Sequence, residues 1–286
     1  MTAREWLEKA KKEKFAIGAF NVGNLETFKA IVQAAANKKS PVIIESSPGE
    51  TEWMGADNII DLARNFSREF DIPILANLDH VRSLAECLKG IEAGYTMIHF
   101  DGSDLALEEN LEIAQKVVTA AHERGVTVEV EMDCIGGSSE LHSGSAAEDL
   151  SEAPMTDPQK AARFIASTGA DILAVFIGNL HGIYTKGDER LDLGTLQKIT
   201  HETNCFLSLH GGSGIPDDQI KEAIKYGIVK VNINTQLRQT FRNELEHQLK
   251  ENPDEYALYK ILPGVVEKIQ QIVENKIEIF GSGGKL

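Results

Sequence analysis

Apolar and polar positions along the chain alternate between two kinds of segment. Eight short runs, residues 15–21, 41–47, 73–80, 95–103, 127–133, 171–179, 206–212 and 228–235, are apolar along most of their length and end in polar turns. Between them lie stretches with apolar residues at helical spacing, residues 25–37, 56–70, 83–93, 107–124, 157–167, 192–202 and 217–226. Short continuous apolar runs predict strands buried on both faces, and a 3.6-residue period predicts the helices that cover them. Asp157-Pro158 and Pro216-Asp217 supply the cap residues of two such helices. Eight strands alternating with helices predict an α/β fold, a TIM (β/α)8 barrel, because open doubly wound sheets usually have fewer strands.

The chain opens on a charged helix start, residues 1–14, and closes on two further helical stretches, residues 236–250 and 253–275, before a flexible tail Gly281-Ser282-Gly283-Gly284. No repeat or linker interrupts it, so residues 1–286 read as one barrel domain with residues 235–286 as a C-terminal helical extension and tail. One connection breaks the short-loop rule. Residues 135–156 hold Gly136-Gly137, Ser138-Ser139 and His142-Ser143-Gly144-Ser145. A loop of that length in a compact domain predicts a lid, here with the glycine pair as its hinge.

The polar ends of the strands carry the chemistry. Residues 74–80, Ile-Leu-Ala-Asn-Leu-Asp-His, are apolar until Asp79 and His80, and His181 and His210 fall at or just beyond the ends of strands six and seven. A barrel brings all its strand ends onto one rim, where three imidazoles with an open fourth position make a catalytic zinc arrangement. Asp101 and Glu131 reach the same rim, as metal ligands or as supports of a histidine. Asp79 beside a ligand suits a general acid or base. His99 lies inside strand four and reads as structural. The turns at Gly211, Gly212 and Ser213 and at Asn232, Ile233, Asn234 and Thr235 follow strands seven and eight, where such barrels hold phosphate on backbone N–H groups and a helix start.

Composition narrows the partners. A formal charge of −15 argues against nucleic acid or an anionic membrane surface. Three cysteines without metal or disulfide spacing suit a reducing cytosol, and no apolar run is long enough for a membrane span, so a cytoplasmic protein is expected.

The residues resemble the class II, zinc-dependent fructose-bisphosphate and tagatose-bisphosphate aldolases along essentially the whole chain. The matching segments include Ala19-Phe20-Asn21, Leu78-Asp79-His80, Asp101-Gly102-Ser103, Val128-Glu129-Val130-Glu131, His181-Gly182-Ile183-Tyr184, His210-Gly211-Gly212-Ser213-Gly214 and Asn232-Ile233-Asn234-Thr235. The resemblance implies reversible aldol cleavage of fructose 1,6-bisphosphate, or of tagatose bisphosphate or another phosphorylated ketose, to dihydroxyacetone phosphate and a three-carbon aldehyde phosphate. It implies Zn2+ held by His80, His181 and His210, with a second divalent or a monovalent cation left open, and a homodimer or homotetramer. Asp79 matches the family's proton donor; Gly182, Gly211, Gly212, Ser213 and residues 232–235 match its phosphate contacts. Zinc would be the electron sink that a lysine Schiff base supplies elsewhere, and no lysine ends a strand here.

Two departures stand out. The family's Glu-Leu-Gly becomes Glu131-Met132-Asp133, and its lid glutamate, eight residues after that first Glu, becomes Ser139, with an acid one residue later at Glu140. Glu140 is therefore the lid acid expected here. Asn234 and Ser47 match fructose-type relatives. A zinc hydrolase is disfavoured because strand one ends in Gly18-Ala19-Phe20-Asn21 rather than a His-x-His pair, and a metal- and phosphate-binding sensor or assembly subunit is the non-catalytic alternative.

Overall fold

The computed structural model describes residues 1–146, 150, 154–186 and 190–286. Its strands are β1 (Ile17–Asn21), β2 (Val42–Ser46), β3 (Ile74–Val81), β4 (Met97–Asp101), β5 (Thr127–Glu131), β6 (Gly137–Ser145), β7 (Ile172–Ala174), β8 (His181–Lys186), β9 (Phe206–Leu209) and β10 (Ile228–Ile233). All but β6 and β8 close a parallel barrel in the order β1-β10-β9-β7-β5-β4-β3-β2. The helices α2 (Leu25–Lys38), α4 (Ala56–Phe70), α5 (Leu84–Ala93), α6 (Leu107–His122), α7 (Pro158–Thr168), α8 (Leu193–Glu202) and α9 (Asp217–Lys225) connect successive barrel strands. The TIM barrel read from the apolar pattern is the fold observed.

The barrel interior is layered. Ile17, Ala19, Ile43, Leu75, Met97, Ile172, Phe206 and Val229 form an apolar floor. Helix α1 (Ala3–Glu13) closes that floor with Trp6, Leu7 and Ala10, and a Thr2–Glu5 capping box fixes its start. Two residues further along the strands the interior turns polar. Lys230 Nζ lies 2.5 Å from Glu129 Oε2 and 2.7 Å from Glu45 Oε1, and Asn77 Nδ2 donates to the same Glu45 oxygen at 2.7 Å. All three charged groups are fully buried. Removing one partner from such a cluster leaves a buried charge uncompensated, at a cost of about 3–5 kcal/mol.

Four local expectations change. The sixth predicted strand is regular only over Ile172–Ala174; the backbone of residues 175–180 leaves the ladder while staying buried. The segment predicted as a lid contains β6, which pairs in parallel with β8; residues 147–149 and 151–153 of that segment lie outside the described residues. Strand β6 reads Gly-Ser-Ser-Glu-Leu-His-Ser-Gly-Ser and is mostly exposed, so hydrophobic alternation could not announce it. A short helix α3 (Pro48–Met54) follows β2, begun by a Ser47–Glu50 capping box with proline at its first position. Finally, α10 (Thr235–Glu251) and α11 (Leu258–Phe280) form the C-terminal extension, but the tail after them is docked rather than flexible. Gly284 N and Lys285 N donate to the carbonyls of Lys38 and Lys39 at 2.8 and 3.1 Å, satisfying acceptors that the end of α2 leaves open.

Candidate active site

The site begins with an irregularity in β3. In a regular strand Asp79 and His80 would face opposite sides of the sheet. Here the β3–β4 register shifts between Leu78 and Val81, and His80 adopts a left-handed backbone with φ of 52°. That bulge brings both side chains to the barrel mouth. Asp79 lies 3.2 Å from His99 Nδ1 through Oδ1, and its Oδ2 accepts from Asn21 Nδ2 at 3.4 Å. Burial opposes the Asp79 charge, but His80, His99 and Lys230 together hold its carboxyl well below the usual range.

His80, His181 and His210 converge. Their ring centroids lie 5.1 Å (His80–His181), 4.9 Å (His80–His210) and 5.9 Å (His181–His210) apart. Each uses one nitrogen on a neighbouring acceptor. His80 Nδ1 donates to Asp101 Oδ2 at 3.2 Å, His181 Nδ1 to the Ile135 carbonyl at 3.3 Å, and His210 Nε2 to Glu129 Oε1 at 2.8 Å. The opposite nitrogens of His80 and His210 face each other, with Asn232 Nδ2 3.3 Å from His210 Nδ1. His80 Nε2 and His210 Nδ1 stand 3.1 Å apart, and His181 Nε2 is buried without a hydrogen-bond partner. Imidazoles oriented by an acceptor behind them, with their rings converging in front, fit a metal ion. Burial, with His80 nearby, lowers His181 to about 4; burial also lowers His210, to about 3, against the pull of Glu129. Both are therefore neutral at physiological pH. Asp101 and Glu131 stand behind His80, with Glu131 Oε2 at 3.9 Å from its Nδ1, and the three make a group whose ligand atoms lie within 4.8 Å.

Beside these imidazoles is a cavity of about 210 Å³. Ser47, Asp79, Gly182, Gly211, Ser213, Asn232, Asn234 and Thr235 all line it. Gly211 has a φ of 69°, and a Cβ there would sit 1.9 Å from the Leu180 carbonyl oxygen, so only glycine lets the turn approach that backbone. Ser213 Oγ accepts from Gln236 N at 3.3 Å, tying this turn to the start of α10. Gly212 is packed behind the turn, where a Cβ would meet Val231, and Ile233 is buried on β10, so neither lines the cavity with a side chain. Glu140 does not line it either. Ser139 faces the cavity while Glu140 is exposed.

Three participants were hidden from a reading by segments. His99 is fully buried, with Nδ1 toward Asp79 and Nε2 3.5 Å from Glu131 Oε2. Its pKa stays well above 6.5: burial opposes the charge, but Glu129, Asp79 and Glu131 outweigh it. Glu129, two residues before Glu131, orients His210 and accepts from Ser208 Oγ. The spacing Glu129-x-Glu131 was the available signal, since period two puts both on the inner face. Arg238, on α10, lines the cavity and pairs with Glu50.

A buried carboxylate, three oriented imidazoles and a glycine-lined recess meet at the C-terminal mouth of a parallel barrel, a donor set that fits metal-assisted lyase or hydrolase chemistry. The sequence profile of class-II fructose-bisphosphate aldolase matches residues 1–285, and the chain belongs to that family. A fructose-bisphosphate aldolase of Streptococcus pneumoniae serotype 4 is 40% identical over all of this chain and 99% of its own. The D-tagatose-1,6-bisphosphate aldolase subunit GatY of Klebsiella oxytoca is 33% identical, over the same shares. Among solved structures, the YdjI aldolase of Escherichia coli K12 superposes with a TM-score of 0.84 at 32% identity, covering 99% of this chain and 97% of that one.

Proposed function

We propose that this chain is a zinc-dependent aldolase that cleaves a ketose 1,6-bisphosphate, fructose 1,6-bisphosphate foremost, to dihydroxyacetone phosphate and glyceraldehyde 3-phosphate. The observation that carries the reading is the convergence of three imidazoles, His80, His181 and His210, with ring centroids 4.9 to 5.9 Å apart, next to ionised Asp79. Zinc held by those imidazoles supplies a Lewis acid for the substrate ketone. Asp79 takes the proton of the C4 hydroxyl as the C3–C4 bond breaks and returns it in condensation. His99 and Asn21 hold its two oxygens in place for that transfer.

Gly182, the Gly211 turn, Ser213 and the start of α10 receive the C1 phosphate, where backbone N–H groups offset the acidic body of the protein. Asp101 and Glu131 act behind His80, Asp101 accepting from its Nδ1. Asn234 and Ser47 at the cavity wall support fructose over tagatose. The GatY relative keeps tagatose bisphosphate as the second substrate. No described helix is long and apolar enough to cross a membrane, in keeping with a cytoplasmic enzyme.

The test is cleavage of fructose and tagatose 1,6-bisphosphates by protein as purified, after chelation, and after zinc is restored. The expected result is cleavage of the fructose compound that chelation removes and zinc brings back. Full turnover in chelated protein, or none on either sugar with zinc present, would refute the reading.

A further inference from the structure

The contacts assigned so far hold the metal-bound half of the substrate and the C1 phosphate; the far end has no partner. Arg238 is the only lysine or arginine among the described residues lining the cavity. Its Nη2 donates to Glu50 Oε1 at 2.6 Å, reaching from α10 across to α3. The other Glu50 oxygen accepts from Asn21 Nδ2 at 3.0 Å and from Ser47 N and Oγ, both at 2.9 Å. Going round the rim, the glycine turn follows β9 and the α10 start follows β10, whereas Asn21 ends β1 and Ser47 follows β2. The guanidinium is thus drawn away from the proposed C1-phosphate recess, toward the ends of β1 and β2, the latter beside the β3 strand that carries Asp79.

We propose that Arg238, set beside Ser47 by Glu50, grips the anionic distal end of the substrate, the end that leaves on the aldehyde product. The inference rests on the aldolase reading. An arginine fork has five N–H donors, and Glu50 is the one acceptor of Arg238 among the described residues, so the others are open to a ligand oxyanion. The Arg238 side chain is 49% exposed, and an ion pair at such a site is weak enough to exchange Glu50 for a ligand oxygen. In a chain of charge −15, with Asp79 and Glu50 at the same mouth, an anion needs this cation. The group recognised is an oxyanion, phosphate or carboxylate.

The experiment is condensation of dihydroxyacetone phosphate, in the zinc-loaded protein, with three acceptors: glyceraldehyde 3-phosphate, neutral glyceraldehyde and succinic semialdehyde. In Arg238→Ala the ratio of kcat/KM for a charged acceptor over the neutral one should fall about 10- to 100-fold, the scale of a charge-assisted pair, chiefly through KM. Whichever acceptor loses more, phosphate or carboxylate, identifies the preferred anion. Arg238→Lys should recover part of the ratio, and Glu50→Gln should move it the other way by freeing the guanidinium. Equal losses on charged and neutral acceptors, or an unmoved ratio in Arg238→Ala, would overturn the inference alone. No condensation by the unaltered protein with any acceptor would overturn the aldolase reading and this inference with it.

Discussion

The three imidazoles are tuned apart although they share one cavity. Burial drives His181 to about 4 and His210 to about 3, whereas His80 is raised from 6.5: burial works against its charge, but Asp79, Asp101 and Glu131 outweigh it. At pH 6 the first two are already neutral and His80 carries a proton. Zinc binding at that pH should therefore release about one proton, from His80, where three unperturbed imidazoles would give up more than about two. Raising the pH through the elevated His80 value should bring the release toward zero. Calorimetric titration of zinc into metal-free protein, in buffers of different ionisation enthalpy, counts those protons; release of more than two at pH 6 would contradict the assignment. Asp79 and His80 were legible in the sequence because polar residues ending an apolar run stand out. His99 was not, because an imidazole within a buried strand reads alike whether it faces the mouth or a covering helix.

Among the elements, β6 is the one whose register carries chemistry. Side chains alternate along a strand, so a slip of one residue would exchange Ser139 and Glu140 between cavity and solvent. The β6–β8 pairing is irregular, shifting between Gly137 and Leu141 and again between His142 and Ser145, and His142 stacks on Tyr184 with ring centroids 4.5 Å apart. With Ser139 inward, Glu140→Gln should leave exchange of the dihydroxyacetone phosphate carbon-bound proton within about twofold of the unaltered rate. A loss near the lower end of general acid–base effects, about 100-fold, would mean that bound substrate selects the slipped register and that Glu140 is the lid acid. Strand β6 was not legible, and of β7 the place was but not the short length. The first is polar and owes its form to pairing; the second belongs to an apolar run whose second half leaves the ladder without leaving the core.

For the whole molecule, closure of the barrel turns separate strand ends into one site. His80, His181 and His210 span 130 residues of sequence, yet His80 Nε2 and His210 Nδ1 are 3.1 Å apart. That convergence was legible once eight apolar runs implied a barrel, because the rim follows from closure and not from local sequence. The cross-chain partners were not: Arg238 lies on a helix beyond the last strand and Glu50 on a helix that only a capping box announces. The most direct test of the account measures bound zinc and turnover on the same samples of two variants. His181→Ala should lose zinc and cleavage together, while Asp79→Asn should keep about one zinc per chain and lose about 10²- to 10⁴-fold in kcat. A His181→Ala protein that cleaves fructose 1,6-bisphosphate at full rate without zinc, or an Asp79→Asn protein with unchanged turnover, would contradict it.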